Sequence, residues 1–198
     1  NKQEFIIGNK KVMSLARRIF PSMIYGENHP YGKILQESDF DNLTTDDLRQ
    51  LYTRLPLGSS RCYIGGNIDS NVISSLSEMM QHISTRENGA AEKEFEIQLS
   101  TDKERIIEID DAVQSAIMLG IPVVGRSHPD FPLLVLTNTI LGGYFGSRLM
   151  KSIREEKGYT YGISSGIALR AKASHLSIQT EVKTEITQLA LDEIFREI

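Results

Sequence analysis

The chain has 198 residues, 40% of them hydrophobic and 24% charged, which suits a globular protein with one large domain or one domain plus part of another. The formal net charge of -4 gives no long-range attraction to nucleic acid or to an anionic membrane, and we expect neither partner. No apolar run approaches the ~18 residues that a membrane helix needs. Cys62, the single cysteine, excludes an internal disulfide and a cysteine-rich metal site, and its apolar neighbours predict that it is buried.

Helical periodicity dominates the amino-terminal part. From Phe5 to Tyr25, apolar residues recur at helical spacing and predict one long amphipathic helix that ends near Gly26. Because this pattern is already under way at the first residue, which is not Met, we expect a piece of a longer polypeptide. Thr44 and Asp47 form a capping-box pattern that predicts a helix running to about Arg54.

The middle of the chain predicts strands as well as helices. An apolar run at Arg61–Gly65 indicates a strand, and Asp69 is a suitable cap for the helix that follows it. Residues 84–93 are polar and contain Gly, which predicts a mobile connection. Two further strands are predicted, at 105–109 and 113–120, separated by a tight turn at Asp110-Asp111.

The last third predicts helices around a hairpin. A helix that Asp130 or Ser127 begins is apolar nearly all round through Ile140, so it is predicted to be central. Gly142-Gly143-Tyr-Phe-Gly146 ends it, and a second helix is capped by Ser147 and stopped by Gly158. The pattern at 159–169 and 175–182 predicts two antiparallel strands, with a final helix after Thr184. The predicted fold class is α+β: a mixed, largely antiparallel sheet with helices packed on one face.

The sequence lacks the motifs of several common catalytic and binding sites. The four histidines, His29, His82, His128 and His175, never occur at the i, i+4 spacing of a helical zinc site. The sequence holds no phosphate-binding Gly-x-x-x-x-Gly-Lys loop. Residues 141–162 remain as the most informative segment. They contain Gly-Gly-x-x-x-Ser-Arg-Leu followed by Ile-Arg-Glu-x-x-Gly-x-x-Tyr.

This segment resembles the second-domain signature of the pitrilysin/insulinase family of zinc metallopeptidases. His29-Pro-Tyr-Gly, the helix after Leu43 and the Gly65-Gly66-Asn67-Ile68-Asp69 passage are similar to the family's route from its first domain to its second. The resemblance implies that residues 1–56 are the last helices of the first, zinc-binding domain and the connection. Residues 57–198 would then form the second domain.

The resemblance also implies roles for individual residues. Tyr161 would donate a hydrogen bond to the oxyanion of a peptide substrate, and Arg154 would hold a substrate carbonyl or carboxylate; without the signature, both would be ordinary surface residues. Gly142 and Gly143 would let the substrate backbone approach, although a plain helix-breaking turn also explains them. Glu4 aligns with the third, downstream ligand of an inverted His-x-x-Glu-His zinc motif, but an acid favoured by a helix dipole is the simpler interpretation.

On this resemblance the full-length protein is a zinc endopeptidase, and the fragment alone binds no zinc and is inactive. Its partners would be a peptide substrate and either the missing first domain or a subunit that bears the zinc motif, with a dimer as one arrangement. A non-catalytic relative that binds peptide without cleaving it is the alternative, and a plain interaction module is a third. Scarcity of cysteine favours a reducing compartment such as the cytoplasm.

Overall fold

The structure is a computed structural model that describes residues 2–55, 60–84, 95–97, 103–170 and 173–198. The chain forms two compact units. The smaller comprises residues 38–94, and the larger combines residues 1–37 with residues 95–198. Each is described by itself.

The regular secondary structure in the described part of the smaller unit is helical. Helix α3 (Glu37–Asn42) lies at its start, and α4 (Thr45–Arg54) and α5 (Ser70–Ser84) follow. The predicted capping box of α4 is confirmed, since the Asp47 backbone N–H donates to Thr44 Oγ1 over 3.2 Å and the Thr44 N–H donates to Asp47 Oδ2 over 2.8 Å. The Asp69 carboxylate likewise caps α5, accepting from the Val72 N–H over 2.9 Å.

Two predictions for the smaller unit are wrong. Arg61–Gly65 does not form a strand, and Cys62 is exposed rather than buried. A strand needs a neighbour to satisfy its backbone groups, and the described residues of this unit supply none. The predicted connection at 84–93 begins at the last residue of α5, and its remaining residues lie outside the described part of the chain.

An antiparallel sheet organises the larger unit. Its strands are β1 (Gln114–Val123), β2 (Ile163–Leu169) and β3 (Ser174–Lys183), in the order β1-β3-β2. Thr180 of β3 lies opposite Ile117 of β1 and Ile163 of β2. The predicted hairpin and the predicted strand at 113–120 are therefore confirmed, except that the first hairpin strand begins at Ile163 and residues 159–162, Tyr161 among them, precede it.

The strand predicted at 105–109 is wrong, although the turn after it is right. Asp111 has a φ of 59°, and the Ala112 N–H donates to the Ile109 carbonyl over 3.3 Å. Residues 105–109 pair with no strand among the described residues, and Ile106 is 82% exposed. Their apolar pattern therefore does not correspond to a buried sheet face.

One face of the sheet carries the main core. Helix α6 (Phe131–Asn138) continues into a π-helical segment (Thr139–Gly143), and a second π-helix (Met150–Glu156), called the Arg154 helix below, follows. A 3-10 turn (Thr184–Ile186) leads into α7 (Thr187–Glu197). The sheet, the Arg154 helix and α7 enclose the buried residues Ile117, Leu149, Met150, Ile153, Ile163, Ile178, Val182, Ala190 and Ile194.

An amino-terminal helix packs on the other face, through Phe20, Ile24 and Tyr25. Helix α1 (Lys2–Gly8) is separate from α2 (Val12–Tyr25), so the prediction of one continuous helix is wrong. Glycine is a poor helix former, and after Gly8 the N–H groups of Lys10 and Lys11 donate to carbonyls only three residues back, which ends the α-helical pattern. The predicted end at Gly26 is confirmed by its φ of 82° and by its N–H donating to the Ser22 carbonyl.

Helix α6 is not central, contrary to its sequence pattern. None of its residues is buried, and Leu133 is 63% exposed. An apolar helix without a polar face is expected to be buried, but the pattern does not identify the element that would cover the helix. The helix predicted after Ser147 does begin there, since the Ser147 carbonyl accepts from the Lys151 N–H. The predicted side-chain cap is wrong, because the Ser147 hydroxyl is buried with no hydrogen-bond partner among the described residues.

The α+β class is confirmed, with a largely antiparallel sheet and helices packed against it. Among the described residues, no helix combines the length and the hydropathy that crossing a membrane requires.

A buried aromatic pair joins α2 to the sheet. Tyr25 Oη lies 2.6 Å from Nδ1 of His175, and the Phe20 ring meets the same imidazole edge-on at 5.5 Å between centroids. Burial raises the pKa of Tyr25. Burial, with a smaller contribution from the Arg170 charge, lowers the pKa of His175. Both groups are therefore neutral, and they share one hydrogen bond whose direction is set by the imidazole tautomer.

This pair predicts that stability falls on mild acidification. Because the pKa of His175 is lower in the folded chain than the ordinary value of about 6.5, its contribution to stability is complete above that value and is lost as the pH falls from there through the lower folded pKa. The free energy of unfolding, measured by urea titration from about pH 7.5 to about pH 5.5, should decrease, and less steeply in His175→Gln. His128→Gln, at an exposed histidine, is the control. An equal slope in His175→Gln and wild type would contradict the assignment.

Candidate functional site

The buried side of the Arg154 helix is packed against the core, and its other side is exposed. Leu149 and Ile153 are completely buried, and the buried Ser152 hydroxyl donates to Glu193 Oε1 of α7 over 3.0 Å. The helix ends as predicted, because Gly158 adopts a φ of 65°. The chain therefore leaves this helix toward the sheet in a defined direction.

The Arg154 guanidinium lies over the ring of Phe145, with its Cζ 4.7 Å from the ring centroid. Phe145 itself is 64% exposed and belongs to the turn between the two π-helical segments. A cation above an aromatic face is stabilised by about 0.5–1 kcal/mol at an exposed site. The arrangement limits the orientations of the guanidinium plane while leaving N–H donors for a ligand. Sequence reasoning missed Phe145, because its position in the signature carried no identity requirement.

Tyr161 is the middle residue of a three-residue turn, Thr160–Gly162, that leads into β2. Its side chain is 96% exposed, whereas Ile163, two residues later, is 3% exposed. The Gly162 N–H donates to Thr160 Oγ1 over 3.1 Å, which closes the turn. The phenol thus extends from a closed, short turn into open space. The turn is called the Tyr161 turn below.

An open depression of about 200 Å³ lies beside the Tyr161 turn. Arg17 of α2 forms part of its wall and donates from Nε to Gln179 Oε1 over 2.9 Å. The remaining lining is mostly polar: Met13, Gln114, Thr160, Tyr161, Gly162, Ser164, Gln179, Thr180 and Glu181. Its volume is below the range of about 300–1,000 Å³ that is typical of small-molecule sites.

The structure does not place the two predicted site residues in one hollow. Arg154 is not among the residues that line the depression beside Tyr161. Arg154 contacts the exposed Phe145 ring, and Tyr161 extends from the Tyr161 turn. A ligand that used both residues would have to bridge them on the outside of the larger unit.

The two signature glycines differ in their surroundings. Gly142 is buried, and a Cβ built on it would lie 2.6 Å from the Ser165 backbone nitrogen, so the missing side chain lets the π-helical segment lie directly on β2. The Ser165 hydroxyl then donates to the Asn138 carbonyl over 3.2 Å. Gly143 is exposed, and a Cβ there would meet the Asn138 carbonyl at 3.1 Å.

Glu4, the tentative metal ligand, is an exposed residue in the first turn of α1. No group of three His, Cys, Asp or Glu side chains in the described part of the chain is arranged to hold a metal ion. Three protein ligands are the minimum for a catalytic zinc. The described residues therefore do not form a zinc site by themselves.

A family profile identifies the chain. The family described as Peptidase M16 inactive domain matches residues 42–198, most of the chain. The chain therefore belongs to this family, and the resemblance drawn from the signature is confirmed.

Similar proteins share the fold and parts of the sequence. A peptidase M16 inactive domain from Pseudomonas fluorescens has a TM-score of 0.83 at 23% identity, covering 98% of this chain and 48% of that one. An uncharacterized zinc protease of Mycobacterium leprae is 37% identical over 68 residues, 34% of this chain and 15% of the relative. A probable inactive metalloprotease of Bacillus subtilis is 25% identical over 145 residues, 71% of this chain and 34% of the relative. The chain thus spans less than half the length of each.

The packing of Gly142 gives a direct prediction. Gly142→Ala should lower the free energy of unfolding by about 1–3 kcal/mol, because the new methyl group would overlap the Ser165 backbone. Gly166→Ala in β2 is the matched control, since a Cβ there meets no atom within 4 Å, and its stability should change by less than about 1 kcal/mol. Urea unfolding compares the two. Equal stabilities would show that Gly142 is not in close contact with β2.

Proposed function

We propose that this chain supplies the substrate-binding wall of a zinc-dependent endopeptidase. In this proposal Tyr161 donates a hydrogen bond to the oxyanion that forms on the scissile carbonyl, and Arg154 holds another carbonyl or carboxylate of the peptide. The observation that carries the proposal is the 96% exposure of Tyr161 on a turn whose backbone is tightly hydrogen-bonded. A phenol held out from a rigid turn is a donor available to a ligand.

Arg154 supports the same function through its geometry. The guanidinium carries five N–H donors in a planar fork, which matches the carbonyl and carboxylate groups of a peptide. Its position over Phe145 restricts the fork before a ligand arrives, so less conformational entropy is lost on binding. We include Phe145 in the proposed site as the residue that orients Arg154.

The proposed site also includes two glycines and an acidic residue. Gly143 is exposed and accessible to a substrate backbone, whereas buried Gly142 contributes by seating the π-helical segment on β2. Glu4 stays a predicted zinc ligand that needs further ligands from outside this chain. We propose that zinc is bound in the full-length protein by a first domain or a partner subunit. Residues 1–56 would belong to that first domain, and residues 57–198 to the second.

A non-catalytic role is the second candidate. The family is described as an inactive domain, and the Bacillus subtilis relative is named a probable inactive metalloprotease. In that case the full-length protein would bind peptide through the same Tyr161 and Arg154 surface without cleaving it. Peptide hydrolysis that is lost with a zinc chelator and restored by zinc supports the enzyme, and peptide binding without hydrolysis supports the second candidate.

Substitution of the phenol tests the oxyanion role. In the full-length protein, Tyr161→Phe should lower kcat by about a hundredfold with little change in KM, because only the transition state carries the oxyanion. Its melting temperature should stay near that of wild type, since the hydroxyl is exposed. Steady-state cleavage of a fluorogenic peptide measures both constants.

Tyr63→Phe is the matched control, because Tyr63 is also an exposed tyrosine, at 85%, and belongs to the smaller unit. It should leave kcat unchanged. A Tyr161→Phe enzyme as fast as the Tyr63→Phe enzyme would refute the proposed role of the phenol.

A further inference from the structure

We propose that the hydroxyl groups of Thr160 and Thr180 are positioning groups for the Tyr161 phenol. The inference rests on the proposed function, because it concerns how the proposed oxyanion donor is held in place. Neither threonine belongs to the predicted site, and Thr180 lies 19 residues after Tyr161 in the sequence.

Thr180 is the buried member of the pair. It lies in the middle of β3 and is 2% exposed, with Ile117 of β1 and Ile163 of β2 opposite it. Burying a hydroxyl in apolar surroundings without a hydrogen bond is unfavourable, so the Thr180 hydroxyl needs a partner, and the identity of that partner shows which segment it holds. Both partners lie in the Tyr161 turn: Thr160 Oγ1 at 2.9 Å and the Gly162 carbonyl at 3.0 Å.

Thr160 completes the connection between the turn and the sheet. Its hydroxyl donates to the Glu181 carbonyl of β3 over 2.7 Å and accepts from the Gly162 N–H over 3.1 Å. One proton and two lone pairs are available on each hydroxyl, and the Thr180 hydroxyl donates to Thr160 Oγ1 or to the Gly162 carbonyl. The residues on both sides of Tyr161 are therefore tied to the central strand by side-chain hydroxyls.

This arrangement matters because the Tyr161 ring has no core packing to hold it. A side chain that is 96% exposed depends on its backbone for its position. An oxyanion donor must lie within about 2.7–3.1 Å of the oxygen it stabilises, and a displacement of about 1 Å costs on the order of a hundredfold in rate. The two hydroxyl groups supply the rigidity that packing does not.

A purely structural role for Thr180 is the competing interpretation. Valine has nearly the shape of threonine and fills the same space between β1 and β2, but it cannot hydrogen-bond to the turn. Serine keeps the hydroxyl and loses the methyl group. The two substitutions therefore separate loss of the hydrogen bonds from loss of packing.

The test is a double-mutant cycle in the full-length protein with a fluorogenic peptide. Thr180→Val should lower kcat by about tenfold with KM within about twofold, and Thr180→Ser should restore most of the rate. Thr180→Val/Tyr161→Phe should be no slower than Tyr161→Phe alone, because a displaced phenol and an absent phenol lose the same interaction. Thr160→Val should behave as Thr180→Val does.

Thr187→Val is the matched control. The Thr187 hydroxyl also makes two hydrogen bonds, at 2.8 Å to Ser115 Oγ and at 2.8 Å to the Thr184 carbonyl, but it does not contact the Tyr161 turn. The Thr187→Val substitution should change kcat by less than about twofold, while it changes the melting temperature by about as much as Thr180→Val does.

The outcomes distinguish the two proposals. Suppose that Tyr161→Phe slows turnover but that Thr180→Val lowers kcat no more than Thr187→Val does; the positioning role is then overturned and the proposed function stands. The same conclusion holds if the double variant is slower than Tyr161→Phe alone by the full factor that Thr180→Val causes by itself. If Thr180→Ser is as slow as Thr180→Val, packing rather than hydrogen bonding is responsible, and the positioning role is again overturned. If Tyr161→Phe has no effect on turnover, both proposals fall.

Discussion

Backbone pairing of β3 on both of its edges is the constraint on which the larger unit depends. Ser174–Lys183 pairs with β1 along one edge and with β2 along the other. Its alternate residues face opposite cores: Ile178 and Val182 join the main core, and His175 meets Tyr25 and Phe20 of α2. A shift of one residue in this strand would exchange the two sets of side chains. The same strand also carries Thr180, which links the sheet to the Tyr161 turn.

The sequence was sufficient where local chemistry determines the structure. Thr44 with Asp47, Asp69, Gly26 and Gly158 each mark a helix end by a mechanism that acts within a few residues, and each is found where it was predicted. The β2–β3 hairpin was also predictable, because two apolar runs a few residues apart pair readily.

The sequence was insufficient where long-range packing determines the structure. Strand-like composition occurs at Arg61–Gly65 and at residues 105–109. A strand forms only when it pairs with another strand, and an apolar pattern does not identify that partner. The uniformly apolar α6 pattern predicted burial, yet Leu133 and Leu136 are mostly exposed. The break between α1 and α2 was visible in principle at Gly8-Asn9, which the helical periodicity on either side outweighed.

The candidate site shows the same division between local and long-range information. The spacing of the signature pointed to Arg154 and Tyr161, whose proposed roles rest on the family resemblance. Phe145 beneath Arg154 and Thr180 behind Tyr161 could not be found from spacing, because each contact is set by the fold. The groups that would contact a peptide were thus readable from the sequence, and the groups that hold them in position were not.

The most direct test of the account is whether peptide covers Tyr161. In the full-length protein, Tyr161 should be nitrated readily by tetranitromethane because it is 96% exposed, and mass spectrometry of the digested protein follows the rate. A saturating, non-cleavable peptide analogue should slow nitration of Tyr161 several-fold and leave the exposed Tyr63 unaffected. Nitration of Tyr161 at the same rate with and without bound peptide would contradict the account.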